Sequence, residues 1–151
     1  MAIEKTTHND LTWINMDEID QEAIDFLDDN FEFHELDFED LQERTQTPKI
    51  DVYQDYLFIV LQFPKMNHHS NKIVFHEIDI FVGEGFLVTL QRGKVEELIG
   101  LFEQCQENET IQNEWMGGSS GFLLYNVLEH IFHTTEPVVN KIGRQISDIE
   151  E

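Results

Sequence analysis

Apolar residues recur along this chain with two periods, and the changes between them mark the elements. Leu11 to Met16 is a short apolar run that reads as a strand. Asp17 follows as a residue suited to capping a helix, with Asp20 three positions on. Ile19, Ala23, Phe26 and Leu27 then share one side of a helix expected over 18–29, with acids crowding its other face. A second short helix, 35–43, places Leu36, Phe38 and Leu41 as its apolar side chains. Pro48 ends helical structure, because the residue before a proline is pushed out of the α region. Ile50 to Phe63 is read as extended, and Tyr56 to Leu61 is apolar without alternation, the pattern of a strand covered on both faces. Lys65 to Asn71 reads as a polar turn. Ile73 to Val82 alternates, with Val74, Ile78, Ile80 and Val82 set against Glu77 and Asp79. Gly83-Glu84-Gly85 predicts a tight hairpin, with Phe86 to Leu90 returning beside the preceding strand.

The remainder is helical in period. Val95, Leu98, Ile99, Phe102 and Cys105 have the spacing of a helix packed on a sheet. Glu107 to Trp115 carries no clear period, and Gly117 to Ser120 reads as a loop and helix start. From Gly121 onward Leu124, Leu128, Ile131, Thr135, Val138, Ile142, Ile146 and Ile149 form one long pattern close to a coiled-coil seam. Pro137 is expected to kink or break it. The pattern reaches Glu151 without a stop signal, so the chain reads as part of a longer one. The hairpin excludes a purely parallel sheet. The fold class expected is α/β (α+β): a mixed, partly antiparallel sheet with helices on both faces, followed by a long C-terminal helix. The expected division is 1–116 for the sheet-containing part and 117–151 for the start of the long helix.

Charge changes this picture most. The chain has 31 acids against 9 bases, a formal net charge of −22. That argues against a nucleic-acid partner, whose phosphates need a basic face. Thirteen of the acids lie between residues 10 and 40, where there is no Lys or Arg. Such a face attracts cations through its summed field; a well-solvated surface, or a module docking a basic partner, would also carry it. Twelve Phe and 40% apolar residues supply a core. No apolar run approaches the ~18 residues of a membrane span, and no basic segment followed by an apolar core marks a secretory leader. The lone Cys105 reads as a buried small hydrophobe.

Candidate chemistry centres on the second helix. Asp37 and Asp40, three apart, share a helical face, as do Glu35 and Glu39 at four apart. Carboxylates this close suit a hard cation such as Mg²⁺, which takes one or two of them and keeps several waters. His130 and His133 with Glu129 are not in the metalloprotease order and lack a third zinc ligand, so they read as helix surface; His68 and His69 read as an exposed turn. Neither a nucleophile elbow nor a P-loop is present, and Asp51 and Asp55, flanking Tyr53, are weak as an acid–base pair. An enzyme is not expected. Trp13 and Trp115 read as core or edge anchors.

The order of several short motifs resembles the cytoplasmic domain of CorA-type divalent-cation transporters. The motifs are Trp13-Ile14-Asn15, the turn His34 to Leu41, the breaker Thr47-Pro48-Lys49 and the aromatic strand Tyr53 to Phe63. Two positions depart: Glu35 stands where the family usually has Pro, and Thr47 where it usually has Arg. The family's pore signature, Gly-Met-Asn, is absent. The resemblance implies a regulatory domain on the cytoplasmic side of the cell membrane, in a protein that assembles as a pentamer and is anchored by a further C-terminal part. It implies a weakly bound regulatory Mg²⁺, or Co²⁺, between subunits. Asp40 is the matching ligand, its partner acid lies beyond residue 151, and the carboxylate is expected to face the shared ion rather than a Lys or Arg. His34 is expected to pack or cap. The seven His and Thr47 leave a Zn²⁺ transporter of the same superfamily as an alternative.

Overall fold

A computed structural model of the chain describes residues 3–43 and 47–150. Its centre is one six-stranded sheet in the order β1-β2-β6-β5-β4-β3. The strands are β1 (Ile3–His8), β2 (Leu11–Met16), β3 (Lys49–Val52), β4 (Tyr56–Asn67), β5 (Lys72–Gly83) and β6 (Phe86–Arg92). The pair β2·β6 is parallel and the other neighbours are antiparallel. The mixed α+β class expected from the hairpin is therefore the class observed. Helices α1 (Gln21–Asn30) and α2 (Glu35–Gln42) cover one face; α3 (Glu96–Glu107), α4 (Glu109–Met116) and the 31-residue α5 (Ser120–Glu150) cover the other.

Alternation along each strand divides the core in two. Trp13, Ile59, Ile78, Ile80 and Leu87 meet Leu98, Phe102 and Ile131 on the face of α3 and α5. Ile14, Phe58, Phe81 and Leu90 meet Ala23, Leu27 and Leu41 on the face of α1 and α2. Successive residues point to opposite faces, so a strand covered on both sides can be apolar at consecutive positions, as β4 is from Leu57 to Leu61. A satisfied chain of polar groups runs through the parallel pair. Trp13 Nε1 donates to Thr89 Oγ1 (3.0 Å), Thr89 Oγ1 to Asn15 Oδ1 (2.8 Å), and Gln91 Nε2 to the same oxygen (3.2 Å). Gln91 Oε1 accepts from Val95 N at the start of α3 (2.8 Å). Cys105 is buried, as expected, and burial pushes its thiol up to about 11.

Several boundaries differ from the sequence expectation. β1 is not predicted by its own residues, of which only Ile3 is apolar; it forms because Asn9 turns the chain back at φ 53, a conformation Asn tolerates. Asp20, not Asp17, caps α1, accepting from Ala23 N (2.9 Å). The extended run after Pro48 is a hairpin, folded at Tyr53 to Asp55 between β3 and β4. Residues 65–67, expected in a turn, continue β4 and pair with β5. Glu107 to Trp115, without a clear period, is largely α4, capped by Asn108 Oδ1 accepting from Ile111 N (3.2 Å). Pro137 lies inside α5, which continues across it. The expected seam divides: Ile131 and Thr135 are buried against the sheet, whereas Ile149 is 85% exposed.

The hairpin between β5 and β6 is as expected. Gly85 has φ +83, and a Cβ there would lie 3.1 Å from Asp10 O. Gly85→Ala is expected to destabilise the domain by roughly 1–2 kcal/mol, the cost of a left-handed alanine. Urea denaturation checks this, and an unchanged midpoint would contradict it.

Candidate metal centre at helix α2

Helix α2 is short, and contacts outside the helix hold it at both ends. At its start His34 is the N-cap: Nδ1 accepts from Leu36 N (3.1 Å), the second of the two roles, packing or capping, expected of it. The backbone N–H of His34 donates to Tyr56 Oη (2.7 Å). One turn on, Asp37 is fully buried, and Tyr53 Oη (2.7 Å) and Tyr56 Oη (2.6 Å) each donate to one of its carboxylate oxygens. The two tyrosine rings stack at 4.6 Å, 18° apart. Burial raises the pKa of Asp37 above the usual carboxylate value, opposed by these two hydrogen bonds. Both tyrosines are raised in turn, first by burial and then by donating to Asp37. At the other end Arg92 Nη2 donates to Leu41 O (2.6 Å) and Asp40 O (3.2 Å).

Asp40, one turn beyond Asp37, is partly exposed and faces β3. Lys49 Nζ stands 2.5 Å from Asp40 Oδ2 and 2.9 Å from Asp51 Oδ2. Hydrogen bonding to Asp40, ahead of the opposing burial, raises the pKa of Lys49. Carboxylate oxygens of Asp37, Asp40 and Asp51 lie within 4.8 Å of one another. Three carboxylates against one ammonium leave a negative centre even with Lys49 in place, and an entering cation would have to displace that ammonium from between Asp40 and Asp51. Exposed Leu36, Ile50 and Val52 border the same groove.

The geometry corrects one expectation and extends another. Asp40 is paired with a base, contrary to the expectation that it would face only a shared ion; the base is Lys49, which the hairpin brings alongside. Arg44, the nearest base to Asp40 in sequence, lies outside the described residues. Asp37 and Asp40 share the cluster, but Asp37 reaches it from behind, out of solvent. Asp51 was legible only as a neighbour of Tyr53. The missed signal is the Lys49-x-Asp51 spacing, which puts both side chains on one face of a strand. Glu35 and Glu39 are exposed and outside the cluster. Among the described residues the histidines build no ligand group: His130, His133, His68 and His69 are exposed, and His133 Nδ1 lies 3.9 Å from Glu136.

Behind α2 lies a second charged group. Glu77 and Asp79, expected on a polar face of β5, are buried because α1 and α2 cover that face. Arg92 Nε donates to Glu77 Oε2 (2.6 Å), and Arg92 Nη2 is 3.6 Å from Asp79 Oδ2. Burial, then the adjoining Glu77, raises the pKa of Asp79 well above the usual carboxylate value.

The CorA-like Mg²⁺ transporter protein family model matches residues 8–151. The Bacillus subtilis protein named "Putative metal ion transporter YfjQ" is 29% identical over 155 residues, covering 100% of this chain and 46% of its own length. The cobalt/magnesium transport protein CorA of Thermotoga maritima is 21% identical over 141 residues, covering 93% of this chain and 39% of that protein. The chain therefore spans less than half the length of these curated relatives. The fold matches the soluble domain of CorA from Methanocaldococcus jannaschii, with a TM-score of 0.70 at 18% identity over 93% of this chain and 54% of that one. Among the described residues no helix is long and apolar enough to cross a membrane.

Proposed function

The chain belongs to the CorA-like Mg²⁺ transporter family, and from that premise we propose that it is the cytoplasmic regulatory domain of a divalent-cation transporter, sensing intracellular Mg²⁺ or Co²⁺ through Asp40. Asp37 supports the site from behind and Asp51 adds a second solvent-facing carboxylate. The observation that carries this reading is the convergence of three carboxylates from α2 and β3. An all-oxygen set suits a hard divalent ion held with several waters, and it speaks for Mg²⁺ or Co²⁺ over a histidine-bound Zn²⁺. The apolar rim of Leu36, Ile50 and Val52 suits a site that a neighbouring subunit completes in a homo-oligomer, a pentamer by family resemblance. Ion binding between subunits would hold one arrangement of the assembly, and loss of the ion would release it, a shift of population between two states.

MgCl₂ is expected to stabilise the isolated domain beyond NaCl of matched ionic strength. At ten times the dissociation constant mass action gives about 1.4 kcal/mol, read as a rise in thermal midpoint. Asp40→Lys should abolish the difference between the salts and, in the full-length transporter, make transport insensitive to cytoplasmic Mg²⁺. Equal stabilisation by NaCl and MgCl₂, together with unchanged Mg²⁺ inhibition in the variant, would reject Asp40 as the sensor.

A further inference from the structure

We propose that Arg92 is the positioning residue for helix α2 and its carboxylates, held in its own place by buried Glu77. This deepens the reading of Asp40 as a cation ligand and rests on it for the part that concerns metal.

Helix α2 has eight residues, too few for stability without outside contacts, and no base in its last turn. It carries Asp40 in that turn, where the negative end of the helix dipole disfavours a carboxylate. Arg92 supplies the missing cation from β6: its Nη2 donates to the carbonyls of Asp40 and Leu41. One of those carbonyls belongs to Asp40 itself, so the backbone that carries the ligand is tied to the sheet.

The guanidinium can do this because its other edge is fixed. Arg92 and Glu77 are directly opposite on β6 and β5, and Nε donates to Glu77 Oε2 at 2.6 Å. Asp79 lies on the same face of β5, 3.6 Å from Nη2. The planar fork serves a carboxylate and two carbonyls at once, which a lysine ammonium on its flexible stem does not reproduce. Asp51 and Lys49 sit on β3, three strands from β6 in the same sheet. The separation of Asp40 from Asp51 therefore depends on how α2 is seated on that sheet. Tyr53 and Tyr56 hold its first turn through Asp37, and Arg92 holds its last.

The test compares the parent domain with Arg92→Lys, which keeps the charge, and with the combined variant Arg92→Met/Glu77→Gln/Asp79→Asn, which leaves no buried charge without its partner. Amide hydrogen exchange is read over residues 36–43 and over β5 and β6, followed by titration with MgCl₂ against matched NaCl. Loss of charge-assisted hydrogen bonds should speed α2 exchange at least about tenfold in both variants while β5 and β6 keep their protection. The same variants should weaken the apparent Mg²⁺ affinity several-fold. Parent-like exchange in α2, or loss of protection spread equally over the sheet, would overturn the positioning role. Faster α2 exchange with unchanged Mg²⁺ affinity would overturn its link to the cation site. A parent domain that does not distinguish MgCl₂ from NaCl would reject the proposed function instead, with the exchange data still deciding Arg92.

Discussion

Asp79→Asn is expected to make the domain more stable than its parent at pH 8, with the advantage vanishing towards pH 4. Asp79 is buried, raised to about 9 by burial and then by Glu77. The unfolded chain ionises the same group at about 3.9. Between these values the folded state binds one proton more than the unfolded state, so this group lowers stability as pH rises through the window. The full linkage is about 1.4 kcal/mol per pH unit; structural relaxation and water entry reduce it, leaving on the order of 2 kcal/mol at pH 8. Asparagine matches the protonated shape: its amide can donate to Glu77 and its oxygen can face Arg92. Denaturant melts of both proteins from pH 4 to pH 9 check the slope. Parallel pH profiles would show that Asp79 does not titrate in this window.

Phe81→Ala is expected to cost roughly 3–5 kcal/mol, the range for emptying a buried aromatic site, against a total of about 5–15 kcal/mol for a domain. Phe81 is fully buried on β5. It stacks on Phe33 at 4.0 Å and on Phe58 at 4.6 Å, and its ring tilts against Tyr56 at 6.0 Å. Phe33 belongs to the link between α1 and α2, so the cavity would open beneath the layer that carries Asp37 and Asp40. Urea midpoints at fixed slope measure the loss. A loss below 1 kcal/mol would mean that this aromatic cluster does not hold the α1–α2 layer on the sheet.

What the sequence by itself determined follows from local periods. The two-sided burial of β4, the glycine hairpin after β5 and the start of α5 at Ser120 each depend on residues within a few positions of one another. The acidic turn of α2 was legible for the same reason: Asp37 and Asp40 are one helical turn apart. The motif order that placed the chain among CorA-type proteins is likewise a property of the sequence.

Only the tertiary structure decided the rest, because it depends on distance in space. Glu77 and Asp79 alternate with apolar residues as an exposed face would, and helices contributed from elsewhere in the chain bury them. Lys49 reaches Asp40 because β3, paired with β4 at the sheet edge, lies alongside α2. Asp51 joins Asp37 and Asp40 for that reason as well. Arg92 meets the carbonyls of Asp40 and Leu41 across about fifty residues. Local period shows which way a side chain points; the charges that share its buried volume are set by the packing of layers, where desolvation forces each to find a partner or a proton.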